Sequence, residues 1–284
     1  MWLWVTIMPE ILYFGFIRNA ILGSFLVATV CSVIGVFVVL RGLAFAGAGI
    51  AHAAFGGVAI GFLLGVDPLL SAVLFCLGTA GLISLTGTRA NLRQDTAIGI
   101  FFSWTMALGV IFIGLMRRYD ARVYGYLFGN ILGVTKGNII LMLALTIAVL
   151  MVVFLFYKEF KFLAFDEEMA QAVGLPRGAL NALQLALIAL TVVVSIKAVG
   201  IILVEALLVI PAATAYQLTN RYGMMFIISW LAAVLASITG LLLSYFLSIA
   251  SGAAIVMVSA ILFALAAIFS PKRRKCRVCG REGG

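Results

Sequence analysis

The chain has 284 residues, 65% of them hydrophobic and only 10% charged, with a mean hydropathy of +1.24. No soluble domain of this length covers so much apolar surface, so lipid must cover it. The net charge of +9 fits the basic inner loops of a membrane protein, and no nucleic-acid partner is expected.

The apolar runs are continuous rather than alternating, so they read as helices, which satisfy their own backbone in lipid. The start, MWLWVTIMPEILYFGF, has no basic head and carries Pro9 and Glu10 mid-run, unlike a cleaved signal peptide. Trp2, Trp4 and Tyr13 suit an interfacial amphipathic segment. Candidate spans follow at about 20–40, 43–64, 69–86, 96–116, 138–157, 181–197, 200–218, 224–248 and 252–269, each near the length that crosses hydrocarbon. The sixth and seventh are short and read as two spans or as one broken unit. The fold class is therefore an all-α polytopic membrane protein with about eight or nine transmembrane helices. Residues 1–271 form one transmembrane domain and 272–284 a basic tail. Cys31 and Cys76 lie in apolar runs and read as packing residues.

The second run contains AGAGIAHAAFGG, with His52, the single histidine of the chain. Gly47, Ala48, Gly49, Gly56 and Gly57 give this helix a smooth face for close helix approach or for a backbone-lined path. After the fourth run comes RRYDARVYGYLFGNILGVTKGN, residues 117–138, too apolar for a plain loop and read as re-entrant or interfacial. After the fifth comes KEFKFLAFDEEMAQAVGLPRGALN, residues 158–181. Here Asp166 suits an N-cap, Glu167 and Glu168 favour the helix N-terminus, and Gly174 with Pro176 ends the helix. A short acidic helix held at the membrane surface suits either a docking knob or a solvated loop.

The seventh run, VGIILVEALLVIPAATAYQL, holds Glu205, the acid that falls clearly inside a span, and Pro211, which removes a hydrogen bond mid-helix. Ionisable groups in a membrane usually mark a pathway. A neutral imidazole and a carboxylate facing one cavity form part of a transient divalent-cation site for Zn, Mn or Fe. The plainer alternative for each is a hydrogen bond across a helix interface. In the tail, Cys276 and Cys279 have the spacing of half a four-thiolate zinc site; the favoured reading is a basic anchor with two reduced thiols.

The tail SPKRRKCRVCGREGG sets orientation. With it inside, Arg18, Arg117, Arg118, Arg122, Lys136 and Lys197 lie outside and the other basic residues inside, which places the N-terminus outside and the C-terminus in the cytoplasm. No G-x-x-x-x-G-K-[ST] is present, so the chain has no phosphate-binding loop of its own and is not itself an ATPase. Coupling must come from an ion gradient or a separate ATPase.

The stretches GVFVVLRGLAFAGAGIAHAAFGGVAIGFLLG (35–65), TAIGIFFSWTMALGVIF (96–112), FDEEMAQAVGLP (165–176) and VGIILVEALLVIPAATA (199–215) together resemble the membrane permease of metal-type ABC importers. The resemblance implies a dimeric permease in the inner membrane with no permanently bound cofactor. It also implies an ATP-binding cytoplasmic subunit docked at Phe165, Asp166, Glu167, Glu168, Ala170 and Gly174, and an extracytoplasmic metal-binding protein. It implies ATP-driven import of Zn, Mn or Fe ions by alternating access. The alternatives are an ABC permease for a larger chelate, such as cobalamin or a siderophore, and an ion-coupled secondary carrier. In that family an aspartate usually stands four residues before the position of His52, where i and i+4 share a helix face. Here that position is Ala48. Glu205 is expected to supply the missing carboxylate from another helix. By helical rise, however, His52 lies roughly 18 Å below the outer end of its span and Glu205 only about 7–9 Å below its own, so they meet only if a helix is displaced, tilted or broken.

Overall fold

The structure is a computed structural model that describes residues 15–89, 93–116, 125–126, 129 and 134–270. Its described residues form helices joined by short turns: α1 (Gly15–Leu40), α2 (Ala44–Leu64), α3 (Pro68–Arg89), α4 (Gln94–Leu115), α5 (Lys136–Leu155), α6 (Tyr157–Phe165), α7 (Glu167–Ala172), α8 (Arg177–Val199), α9 (Ile201–Leu218), α10 (Tyr222–Leu247) and α11 (Ser251–Ile268). Among the described residues, 9 helices are long and apolar enough to cross a membrane, all but α6 and α7. They match the nine candidate runs. The sixth and seventh runs are two separate spans rather than one broken unit, because Gly200 ends α8 and starts α9 with no residue between. Its φ of 81° lies in the left-handed region that glycine adopts without steric cost. The interfacial reading of the N-terminus and the tail cysteines Cys276 and Cys279 lie outside the described residues.

The core is built from α1, α2 and α8, the most buried spans, with α9 packed along α1 and α2. Helices α3 and α4 flank α2, while α10 and α11 flank α9. The peripheral helices present Leu74, Ile111, Met151 and Ile261 outward, as a lipid-facing surface requires. The end of the bundle that carries α6 and α7 is called the base and the opposite end the top. At the base, Asp166 caps α7 by accepting a 2.8 Å hydrogen bond from Met169 N, and the chain turns out of the helix at Gly174, both as expected from the residues.

The register of α8 against α1 positions the site. Ser195 Oγ lies 3.7 Å from Cys31 Sγ, near the middle of α1. Above that level α1 continues 13 residues to Arg18, whereas α8 has only 4 left. The α8–α9 joint is therefore sunk about 13 Å below the top of α1. Two described residues after α4, Tyr126 and Gly129, lie near this joint and the top of α2. Gly129 approaches so tightly that a Cβ there would collide with the Val199 carbonyl. Tyr126 packs its ring against Phe62 at the top of α2, with centroids 6.1 Å apart. Most of residues 117–133, on which the re-entrant or interfacial reading turns, lies outside the described residues.

Candidate functional site

His52 and Glu205 meet. His52 Nδ1 lies 2.8 Å from Glu205 Oε1 and 3.0 Å from the Ala48 carbonyl oxygen one turn earlier. Each side chain is 26% exposed in the single chain. Both neighbours of Nδ1 are oxygens; in the neutral tautomer with the proton on Nδ1, the ring donates to the Ala48 carbonyl and the Nε2 lone pair is free. Phe102 of α4 stands edge-on to the imidazole, with centroids 4.8 Å apart, and walls one side of the ring.

The sunken joint resolves the depth mismatch of the two residues. Starting α9 deep in the bundle lowers Glu205, on its second turn, to the level of His52 in the middle of α2. Two glycines then let α9 come close. A Cβ at Gly35 of α1 would fall on the Leu208 carbonyl oxygen, and one at Gly47 of α2 would fall on Leu208 Cδ2. Leu208 lies one turn below Glu205, so these contacts set the lateral position of the acid. Pro211 is buried one turn further on, inside a helix that continues through it.

The other small residues of α2 serve helix packing. A Cβ at Gly49 would lie 3.0 Å from Ile98, one at Gly56 3.1 Å from Phe75 and from the Thr105 carbonyl, and one at Gly57 2.7 Å from Ala72 Cα. Gly49 and Gly56 thus admit α4, and Gly57 admits α3. Ala48 is different: it lies beside His52 on the open face of α2, with Phe45 exposed below it.

At the base, the predicted docking residues divide into two groups. Phe165, with Met169 and Val173, is exposed. Ala170 is buried against Leu163 and Leu180, and Asp166 and Gly174 form the ends of the turn. Glu167 faces the bundle: one carboxylate oxygen pairs with Arg41 and the other accepts a 2.6 Å bond from Arg177. The Glu168 side chain lies outside the described residues. Burial lowers the proton affinity of the Arg41 guanidinium, and the hydrogen bond and charge of Glu167 act in the opposite direction. Sequence reasoning missed Gly35, Phe102 and Arg41. A lone helical glycine, a phenylalanine in an apolar run and an arginine in a turn carry no local sign of a role.

The ABC 3 transport family model matches residues 13–270. This chain belongs to the ABC 3 transport family. Its relatives include the manganese transport system membrane protein MntC of Halalkalibacterium halodurans, 38% identical over 93% of this chain and 90% of the relative. The manganese import system permease protein ScaB of Streptococcus parasanguinis is 36% identical over 92% of this chain and 93% of the relative. Among solved structures, PsaBC from Streptococcus pneumoniae in complex with Fab superposes with a TM-score of 0.85 at 33% identity, covering 96% of this chain and 99% of that one. An inward-facing putative metal-chelate type ABC transporter superposes with a TM-score of 0.72 at 16% identity, over 88% of this chain and 85% of that one, a likeness of fold. The ABC 3 chain described here is a multi-pass membrane permease, with the fold of the metal-type ABC importers.

Proposed function

We propose that this chain is the membrane subunit of an ATP-driven manganese importer that works as a homodimer by alternating access, with His52 as the residue that meets the ion and Glu205 as the carboxylate behind it. The observation that carries the reading is the 2.8 Å pair joining α2 to α9 at mid-height of the membrane-spanning bundle, on its open face. With Nδ1 held by Glu205 and Ala48, Nε2 is the nitrogen left for a divalent ion. A carboxylate against the far side of a ligating imidazole fixes the ring and raises its basicity. Glu205 also brings the negative charge that a hard ion such as Mn²⁺ favours. The relatives named for manganese support that metal over zinc or iron. Manganese sits at the weak end of the affinity order for such ligands, so one imidazole per subunit, backed by its carboxylate, holds it without trapping it.

The open stripe of α2 and α9 around the pair, including Phe45, Ala48, Ile202 and Tyr216, is the face we assign to the second copy. The base is cytoplasmic, so the N-terminus is outside. The exposed apolar groups of Phe165, Met169 and Val173 receive the ATP-binding subunit, and an extracytoplasmic metal-binding protein delivers the ion at the top. Cys276 and Cys279 are assigned no share of the transport site.

The test is Mn²⁺ uptake by vesicles containing the permease with and without its ATP-binding subunit. Uptake is expected only with that subunit and ATP. Uptake driven by an ion gradient in its absence would favour a secondary carrier. Transport of cobalamin or an iron–siderophore in preference to the bare ion would favour a chelate permease.

A further inference from the structure

We infer that Arg41 is a positioning residue for transport, transmitting movement of α7 to the two helices that carry His52 and Glu205. The inference rests on the transport reading above. Arg41 occupies the turn between α1 and α2, about three helical turns below His52. Its side chain is only 2% exposed. Its guanidinium forks, donating from Nη1 to Asn181 Oδ1 at 3.1 Å and Gln184 Oε1 at 2.6 Å on α8, and from Nη2 to Glu167 on α7. The second oxygen of Glu167 takes Arg177 at the first turn of α8.

One carboxylate on α7 is thus tied both to the turn that starts α2 and to the start of α8. Helix α2 carries His52. Helix α8 runs to Gly200, where α9 and Glu205 begin. Both arms of the His52–Glu205 pair can be traced back to Glu167, with Arg41 at the fork. A displacement of α7 therefore reaches both sides of the pair through short, charge-assisted hydrogen bonds rather than through soft apolar contacts.

Two further observations favour a moving part over a fixed anchor. Arg41 Nε and Gln184 Nε2 are buried without a hydrogen-bond partner. These two donors are available for a second pairing as α7 shifts. Helix α6, by contrast, is fixed to α1 by an apolar contact: Phe160 is buried and packs edge-on to Phe37, with centroids 5.6 Å apart. The segment is thus anchored through α6, while α7, beyond the small contact of Ala170 with Leu163 and Leu180, holds the bundle through polar bonds that can exchange.

The test is the number of Mn²⁺ ions imported per ATP hydrolysed by the complete complex in vesicles, for the native chain, Arg41→Gln and Arg41→Lys. Arg41→Gln is expected to co-purify with the ATP-binding subunit and hydrolyse ATP, while ions per ATP fall roughly tenfold or more; Arg41→Lys, which keeps the charge but loses the fork, should recover part of that loss. If Arg41→Gln yields no folded complex, Glu167→Gln carries the same measurement, because its side chain is partly exposed and its amide keeps the volume. A native ions-per-ATP ratio in either folded variant would overturn the role of Arg41. Absence of ATP-driven Mn²⁺ uptake by the native complex would instead overturn the transport reading, and the positioning role with it.

Discussion

Replacing His52 with alanine should reduce ATP-driven Mn²⁺ uptake to the background of vesicles that lack the permease, while the subunit still folds and binds its ATPase. His52 is the single imidazole of the chain. Among the described residues, no cluster of three or more His, Cys, Asp or Glu side chains is grouped to hold a metal ion. Each subunit therefore has no spare nitrogen ligand to replace the ring. Its loss also leaves Glu205 without its basic partner inside the membrane. A lone carboxylate at mid-bilayer costs roughly 2.5–3.5 kcal/mol on insertion scales and is relieved by protonation. One substitution thus removes the nitrogen ligand and promotes neutralisation of the negative charge. Fold should survive, because the ring is partly exposed in the single chain and α2 is held by tight contacts with α3 and α4 elsewhere along its length. Native-level uptake by His52→Ala, with assembly verified by co-purification, would contradict the assignment.

The largest structural effect is expected at a residue with no chemistry at all. Gly35→Val should destabilise the purified protein by more than about 3 kcal/mol, since overpacking of this kind already costs 1–3 kcal/mol where side chains can yield. Here the obstacle is the Leu208 carbonyl of α9, a backbone group that cannot swing aside. Either α9 moves away from α1, drawing Glu205 from His52, or the bundle fails to form. Gly78→Ala is the control. No atom lies within 4 Å of a Cβ added at Gly78, so removing a helix-destabilising glycine should leave stability unchanged or slightly raised. Thermal unfolding of the two variants in the same detergent makes the comparison. Equal midpoints would show that the close approach of α9 to α1 is not a feature of the protein in solution.

Local physical rules reach far into this fold and stop at identifiable places. The nine spans follow from composition because hydrocarbon thickness fixes their length and leaves little tolerance for charge. The Asp166 cap and the turn at Gly174 follow from side chains that act within one turn of themselves. The meeting of His52 and Glu205 is different. Rise per residue places them at unequal depths, and the mismatch closes only because Ser195 registers on Cys31, Gly200 ends α8 deep in the bundle, and Gly35 and Gly47 admit Leu208. Each of these contacts joins residues far apart in the chain. Arg41 was hidden for the same reason. An arginine between two spans reads as a loop charge, and only the packing of α7 and α8 shows that its side chain is buried.

The central claim is that the acid on α9 replaces a carboxylate expected at position 48 on α2. It is tested most directly by moving that acid back. Mn²⁺ uptake should be measured for Glu205→Ala and for Glu205→Ala combined with Ala48→Asp, in vesicles with equal amounts of assembled complex. Glu205→Ala should lower uptake by about 10–100-fold, the range for losing a carboxylate that supports a ligating imidazole. Ala48→Asp, one turn before His52 and on its face of the helix, should restore most of it. Full uptake by Glu205→Ala alone, or no recovery in a folded double variant, would contradict the account.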